Sequence, residues 1–167
     1  ALYPLRPTPD TVNEVMILVK PSILFAVPTI YAAMIANLKK NSIKYQNLRR
    51  CVSAGEALPS QIGTDWKNIT GVDILDGVGS TEMLHIFLSN KPNDITYGTS
   101  GSAVPGYDLK LVDEYGEEVA IGEIGELLVK GQSSAMCYWN KLTKSRNTFE
   151  GKWTRTGDKY EKIKDQK

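Results

Sequence analysis

The residue types best suited to chemistry gather in one stretch, Asp76-Gly77-Val78-Gly79-Ser80-Thr81-Glu82-Met83-Leu84-His85. Glycine lets backbone approach a ligand closely. Ser80 and Thr81 offer hydroxyls to phosphate oxygens. Glu82 offers hard oxygens suited to Mg²⁺, an ion held by one or two carboxylates together with substrate phosphates. His85 is the only histidine of the chain. The run from Val72 to Leu75 reads as a buried strand feeding this stretch, and open α/β sheets bind ligands outside the carboxyl ends of their strands. The stretch is therefore read as a loop holding a nucleotide and an acyl group side by side. The same residues also describe a helix start, with Ser80 or Thr81 as N-cap and Glu82 in the first turn. A lone histidine is equally open to a structural role.

Two further stretches share this logic. Ser53-Ala54-Gly55-Glu56 closes a strand candidate with a small-residue turn that can lie flat against a planar ligand; an ordinary strand-to-helix turn would look the same. Thr156-Gly157-Asp158 reads as a turn between two strands. Its carboxylate can accept from a ribose diol, as acids do in dinucleotide sites, or stand exposed in the turn. Gly98-Thr99-Ser100-Gly101 is read as turn chemistry, because no lysine follows at phosphate-loop spacing and no helix pattern begins there. There is no Ser-His-Asp order, no metal-ligand cluster and no basic-aromatic interleaving.

The elements that must position these residues follow from periodicity and capping. Thr8-Pro9-Asp10 starts a helix with a hydroxyl cap, a proline at the first position and an acid against the dipole. Val12, Val15, Met16 and Val19 continue it at helical spacing, and Pro21 ends it. Ser22 to Val27 is a short strand. Pro28-Thr29 starts a second helix with a buried face of Ile30, Tyr31, Met34, Ile35 and Leu38, closed by Lys39-Lys40-Asn41. Arg50 to Ala54 is the next strand. Pro59-Ser60 starts a third helix that Gly71 stops. This alternation predicts parallel strands joined by right-handed crossovers. Beyond the turn cluster Lys91-Pro92-Asn93-Asp94 the character changes. Strands over Tyr107 to Val112 and Glu126 to Lys130, with a turn at Asp113-Glu114-Tyr115-Gly116, predict an antiparallel sheet or small barrel. A short helix follows over about Thr143 to Phe149, and then a hairpin in Lys152 to Ile163 turning near Gly157-Asp158. The fold class expected is α/β: a parallel-strand α/β portion over residues 1–97, followed by a small antiparallel β-barrel-like subdomain over residues 98–167.

Bulk properties narrow the classes of function. The chain has 167 residues, 41% of them hydrophobic and 23% charged, with a formal net charge of +1. That balance is ordinary for a globular protein and gives no electrostatic case for nucleic acid or an anionic membrane. No apolar run approaches a membrane span and no signal peptide is visible. Cys51 and Cys137 lie far apart and form no metal spacing, which suits free thiols and a cytoplasmic location. The opening Ala-Leu-Tyr-Pro-Leu-Arg and the close Glu-Lys-Ile-Lys-Asp-Gln-Lys suggest a piece of a longer polypeptide.

Taken together and in order, five stretches resemble the adenylate-forming superfamily of acyl-CoA synthetases, luciferases and peptide-synthetase adenylation domains. They are Phe25 to Met34, Ser53 to Pro59, Asp76 to Glu82, Gly125 to Gly131 with the following Tyr138-Trp139, and Trp153 to Asp158. The wording of Ser53 to Pro59 and of Asp76 to Asn90 is most similar to the aryl-CoA ligases of the benzoate type. The resemblance implies that Ser53, Ala54, Gly55 and Glu56 lie against the adenine and the acyl site, and that Asp76 and Gly77 edge the adenine. It implies that Ser80 and Thr81 meet phosphate, Glu82 coordinates Mg²⁺ and Asp158 holds the ribose hydroxyls. Thr81 and Glu82 would carry the catalytic role. Tyr31, Ala54, Gly79, Leu84 and His85 would line the acyl pocket. Val78 stands where many relatives carry an aromatic, so the surface for stacking on adenine is smaller here.

The reaction so implied has two steps: a carboxylate attacks the α-phosphate of ATP and expels pyrophosphate, and a thiol then attacks the acyl-adenylate. ATP, Mg²⁺ and coenzyme A are the expected substrates and cofactors, with benzoate or a small substituted benzoate as the acid. A fatty-acyl or acetyl-type synthetase is the alternative within enzymes, and a non-catalytic binding module of the same fold the alternative outside them. The family's glycine-rich phosphate loop and its C-terminal lysine are absent from these residues. The chain is therefore expected to be about a third of an enzyme, inactive alone and dependent on the rest of its own polypeptide. Oligomerisation is left open.

Overall fold

The structure is a computed structural model that describes residues 4, 6–41 and 44–163. Most of the residues that suggested cut ends, at 1–3, 5 and 164–167, lie outside the described residues. The chain forms two compact units, one of Ala1–Val78 with Ser89–Gly101 and one of Gly79–Leu88 with Ser102–Lys167.

In the first unit helices and strands alternate as the pattern predicts. Helix α1 (Pro9–Val19) begins on a reciprocal cap: Thr11 N donates to Thr8 Oγ1 and Thr8 N to Thr11 Oγ1. This answers two amides that the first turn cannot satisfy from within. Strand β1 (Ile23–Ala26), helix α2 (Pro28–Asn41), strand β2 (Arg50–Ala54), helix α3 (Ser60–Thr70) and strand β3 (Ile74–Gly79) follow. Strands β1, β2 and β3 lie side by side and parallel, with Ala26 opposite Ser53 and Ser53 opposite Asp76. Helix α2 packs on both α1 and α3. The core is centred on Trp66, which meets the Tyr31 ring edge-on at 4.9 Å, with Met34, Leu38, Cys51 and Ile74 around them.

The second unit holds strands β4 (Ile86–Ser89) and β5 (Ser102–Ala103), where Val104 N donates to Phe87 O. It also holds an antiparallel sheet of β6 (Asp108–Val112), β7 (Ile124–Lys130), β8 (Phe149–Glu150) and β9 (Trp153–Glu161) in the order β6-β7-β9-β8, with helix α4 (Leu142–Thr148) before β8. The turn out of β6 is an aspartate turn. Asp113 Oδ1 accepts from the amides of Tyr115 and Glu117, both at 2.9 Å, which is why a polar cluster reverses the chain there. The α/β reading, with parallel strands first and an antiparallel sheet after, is what the structure contains. Among the described residues no helix is long and apolar enough to cross a membrane.

Three local expectations are corrected. The strand expected to stop at Leu75 continues through Asp76 and Gly77 to Gly79. Pairing with β2 holds Gly77 extended, Ala54 lying opposite it. No helix follows Ser80; the chain makes one turn and enters β4 at Ile86. The expected final hairpin is one continuous strand, β9. Its register against β7 jumps between Leu128–Arg155 and Glu126–Lys159, so four steps on β9 oppose two on β7. Gly157, at φ 79°, takes up the bulge with a left-handed backbone, and Asp158 sits on that bulge instead of at a hairpin tip.

Candidate functional site

The stretch that opened the sequence reading is shaped in the second unit by its own backbone. Ser80 Oγ accepts from Met83 N at 3.3 Å, and Leu84 N donates to Thr81 O at 3.3 Å. This is a hydroxyl-started turn that does not propagate. Leu84 then adopts φ 75°, a left-handed conformation that is rare for a bulky side chain. Its side chain is 76% exposed, so core packing does not explain the strain. Met83 is wholly buried and anchors the turn. Gly79 is needed for a reason internal to the chain: a Cβ there would lie 2.6 Å from His85 O and 2.8 Å from Ile86 N. Those are backbone atoms of the returning segment. Gly79→Ala should therefore destabilise the fold by roughly 1–3 kcal/mol, the usual cost of overpacking. Urea unfolding measures it, and an unchanged midpoint would contradict the close approach.

A second segment, Gly131 to Tyr138, clasps this turn. Ala135 N donates to Glu82 O at 2.7 Å, Ser133 Oγ donates to Met83 O at 2.7 Å, and the Tyr138 hydroxyl donates to Glu82 Oε1 at 2.5 Å. Tyr138 and the carboxylate's other neighbours, including Ser80 and the charge of Lys144, hold the Glu82 carboxyl below the usual glutamate range. Glu82 is thus an ionised, half-buried carboxylate at neutral pH. Among the described residues no three acids, histidines or cysteines cluster to cage a metal. A magnesium ion here would fit as one held by a single protein carboxylate plus substrate oxygens and water, its usual arrangement.

His85 is positioned by the same clasp. Its Nδ1 lies 2.8 Å from Ile86 O, an atom that can only accept, so in the neutral ring Nδ1 carries the proton. Tyr107 stands edge-on to the imidazole at 5.9 Å, and its hydroxyl is 2.7 Å from Ser133 Oγ but 3.4 Å from His85 Nε2. With the Ser133 proton directed at Met83 O, the Tyr107 proton goes to Ser133. In that arrangement the Tyr107 proton is not directed at His85 Nε2.

In the first unit Ser53, near the carboxyl end of β2, and Asp76, midway along β3, are register neighbours. Ser53 Oγ and Asp76 Oδ1 are buried without a hydrogen-bond partner among the described residues, a costly condition that marks a place for a ligand donor or a water. Burial pushes the Asp76 carboxyl up, while the Leu58 and Gly77 amides draw it back. Gly55 and Glu56 follow β2 in an exposed bend. Tyr31 is not at a surface: it is wholly buried, its hydroxyl 3.0 Å from Val52 O and 3.1 Å from Leu24 O. Its place is in the core of this unit. In the second unit Thr81 is exposed, and so is Asp158, whose amide donates to Thr156 Oγ1 at 3.1 Å. Sequence reasoning gave no role to Tyr138, Tyr107 or Ser133. They lie 22 to 56 positions from the groups they touch, and no local pattern links them.

The family model of the AMP-binding enzymes matches residues 2–139, and the chain belongs to that family. It is 56% identical over 165 residues to a 4-hydroxybenzoate–CoA/benzoate–CoA ligase of Rhodopseudomonas palustris, covering 98% of this chain and 31% of that relative. Among solved structures it is similar to a benzoate CoA ligase from Burkholderia xenovorans LB400 (TM-score 0.90, 47% identity, covering 95% of this chain and 32% of that one). It is equally similar to the anthranilate CoA ligase AuaEII in complex with anthranoyl-AMP (TM-score 0.91, 47% identity, covering 95% and 31%). The chain thus spans about a third of the length of the relatives it matches.

Proposed function

We propose that this chain is part of an ATP-dependent aryl-CoA ligase that adenylates benzoate or a small substituted benzoate and passes the acyl group to coenzyme A. What supports the reading most is the 56% identity with the ligase from Rhodopseudomonas palustris over nearly all of these residues. The site chemistry agrees with it. In the first unit Asp76, with its unpartnered oxygen, and Ser53, Ala54, Gly55, Glu56 and Gly77 are assigned to the adenine. In the second unit Ser80 and Thr81 are assigned to phosphate, Glu82 to Mg²⁺ and Asp158 to the ribose hydroxyls. Gly79, Leu84 and His85 are assigned to the ring of the acid. A flat apolar ligand would cover the exposed, strained Leu84 side chain, and Nε2 of His85 would accept from a ring substituent.

Bound magnesium would neutralise the phosphate charge that builds as pyrophosphate leaves. The chain's own residues do the rest. Thr81 and Ser80 orient phosphate oxygens, Tyr138 donates to the ionised Glu82 carboxylate, and the acyl-site residues aim the carboxylate of the acid at the α-phosphorus. The acid is already ionised near neutral pH, so no general base is needed.

Substrate choice tests the assignment. In the complete polypeptide carrying this chain, benzoate should support ATP–pyrophosphate exchange at least about tenfold better than octanoate, the scale on which apolar pockets discriminate. Octanoate outcompeting benzoate would point to a fatty-acyl enzyme. No exchange with any acid would point to a binding module.

A further inference from the structure

Tyr138 is tied down on every side. Its amide donates to Ser145 Oγ on α4 at 2.9 Å, and its ring packs on Phe149 with centroids 5.4 Å apart. Lys144 Nζ stands 4.3 Å from the ring centroid. Its hydroxyl, so placed, reaches Glu82 Oε1, while Ala135 N holds the backbone of the same glutamate.

We infer that Tyr138 is a positioning residue that fixes Glu82 for metal binding through one oxygen only. The inference rests on the reading of Glu82 as a magnesium ligand. A free glutamate side chain loses rotamer freedom when it is ordered, and here the hydroxyl has already ordered it. Tyr138 engages Oε1, and the Ser80 hydroxyl and the glutamate's own amide also bear on the carboxylate; Oε2 is the oxygen assigned to the cation. Single-oxygen ligation also suits Mg²⁺, whose near-ideal octahedron is poorly served by the narrow bite of a bidentate carboxylate. The device is a link between residues 56 positions apart in the chain.

The experiment compares wild type, Tyr138→Phe, Glu82→Gln and the double variant of the complete polypeptide. Two readouts are used: the Mg²⁺ dependence of benzoate-dependent pyrophosphate exchange, and Mn²⁺ binding with a non-hydrolysable ATP analogue by electron paramagnetic resonance. Tyr138→Phe should raise metal half-saturation about tenfold, the worth of one charge-assisted hydrogen bond, with the rate at saturating metal close to wild type. The same change in the Glu82→Gln background should do nothing further, because Tyr138 acts only through Glu82. A half-saturation within twofold of wild type, or an equal shift in both backgrounds, overturns the inference while wild-type exchange still upholds the site. A wild type with no metal-dependent exchange overturns both. If Tyr138→Phe does not fold, the wild type decides: the Tyr138 Cζ carbon resonance should move when Mg²⁺ and the analogue bind, and a resonance that stays fixed overturns the inference.

Discussion

Glu82→Gln should lower acid-dependent pyrophosphate exchange by about 10²–10³-fold, the scale seen when one preorganised charge-stabilising group is removed. The amide keeps the shape of the carboxylate and can still accept from Tyr138, so the fold should survive and the thermal midpoint should stay close to wild type. What disappears is the charge. The Tyr138 hydroxyl, with Ser80 and Lys144 near it, keeps the Glu82 carboxyl below its ordinary value. A carboxyl lowered on folding contributes stability above its unfolded value and loses it as pH falls through the folded one. Glu82 is therefore fully ionised at neutral pH, and activity should not respond to its titration there. Near wild-type exchange by the Gln variant at ordinary Mg²⁺ would remove the metal role.

The 167-residue chain alone should form no acyl-CoA above background, a loss larger still. It spans 31% of the ligase from Rhodopseudomonas palustris. Within it no glycine-rich Ser/Thr loop ends in a lysine that could clamp the departing pyrophosphate. Without such contacts the barrier rises by several kcal/mol, about 10³-fold or more in rate. Mass-spectrometric detection of benzoyl-CoA after incubation with ATP, Mg²⁺, benzoate and coenzyme A is the assay. Thioester formation by the chain at rates near those of the complete polypeptide would refute the expectation.

Helix starts and stops were legible because caps are local: Thr8 before Pro9, and Gly71 after Thr70. The parallel order of the first three strands followed from alternation alone. Gly77 and Gly79 misled because glycine ordinarily interrupts strands, whereas here Gly77 pairs with β2 and the close return of the His85 backbone demands glycine at 79. Gly157-Asp158 read as a hairpin tip for a similar reason; a two-residue bulge uses the same residue types as a turn. Tyr31 stands out by its place in a motif, and the two carbonyls that its hydroxyl meets inside the core could not be read from that motif. The clasp on Glu82 and His85 was invisible. It depends on Tyr107, Ser133 and Tyr138, which only the tertiary fold brings to the turn.

The adenylating chemistry is tested most directly with benzoate labelled with ¹⁸O in its carboxylate, turned over by the complete polypeptide with ATP, Mg²⁺ and coenzyme A. Attack of a carboxylate oxygen on the α-phosphorus expels pyrophosphate, and the thiol then releases AMP with that oxygen still attached. The account predicts AMP carrying one ¹⁸O and unlabelled pyrophosphate. Label in inorganic phosphate with ADP as the nucleotide product, or AMP free of label, would contradict it.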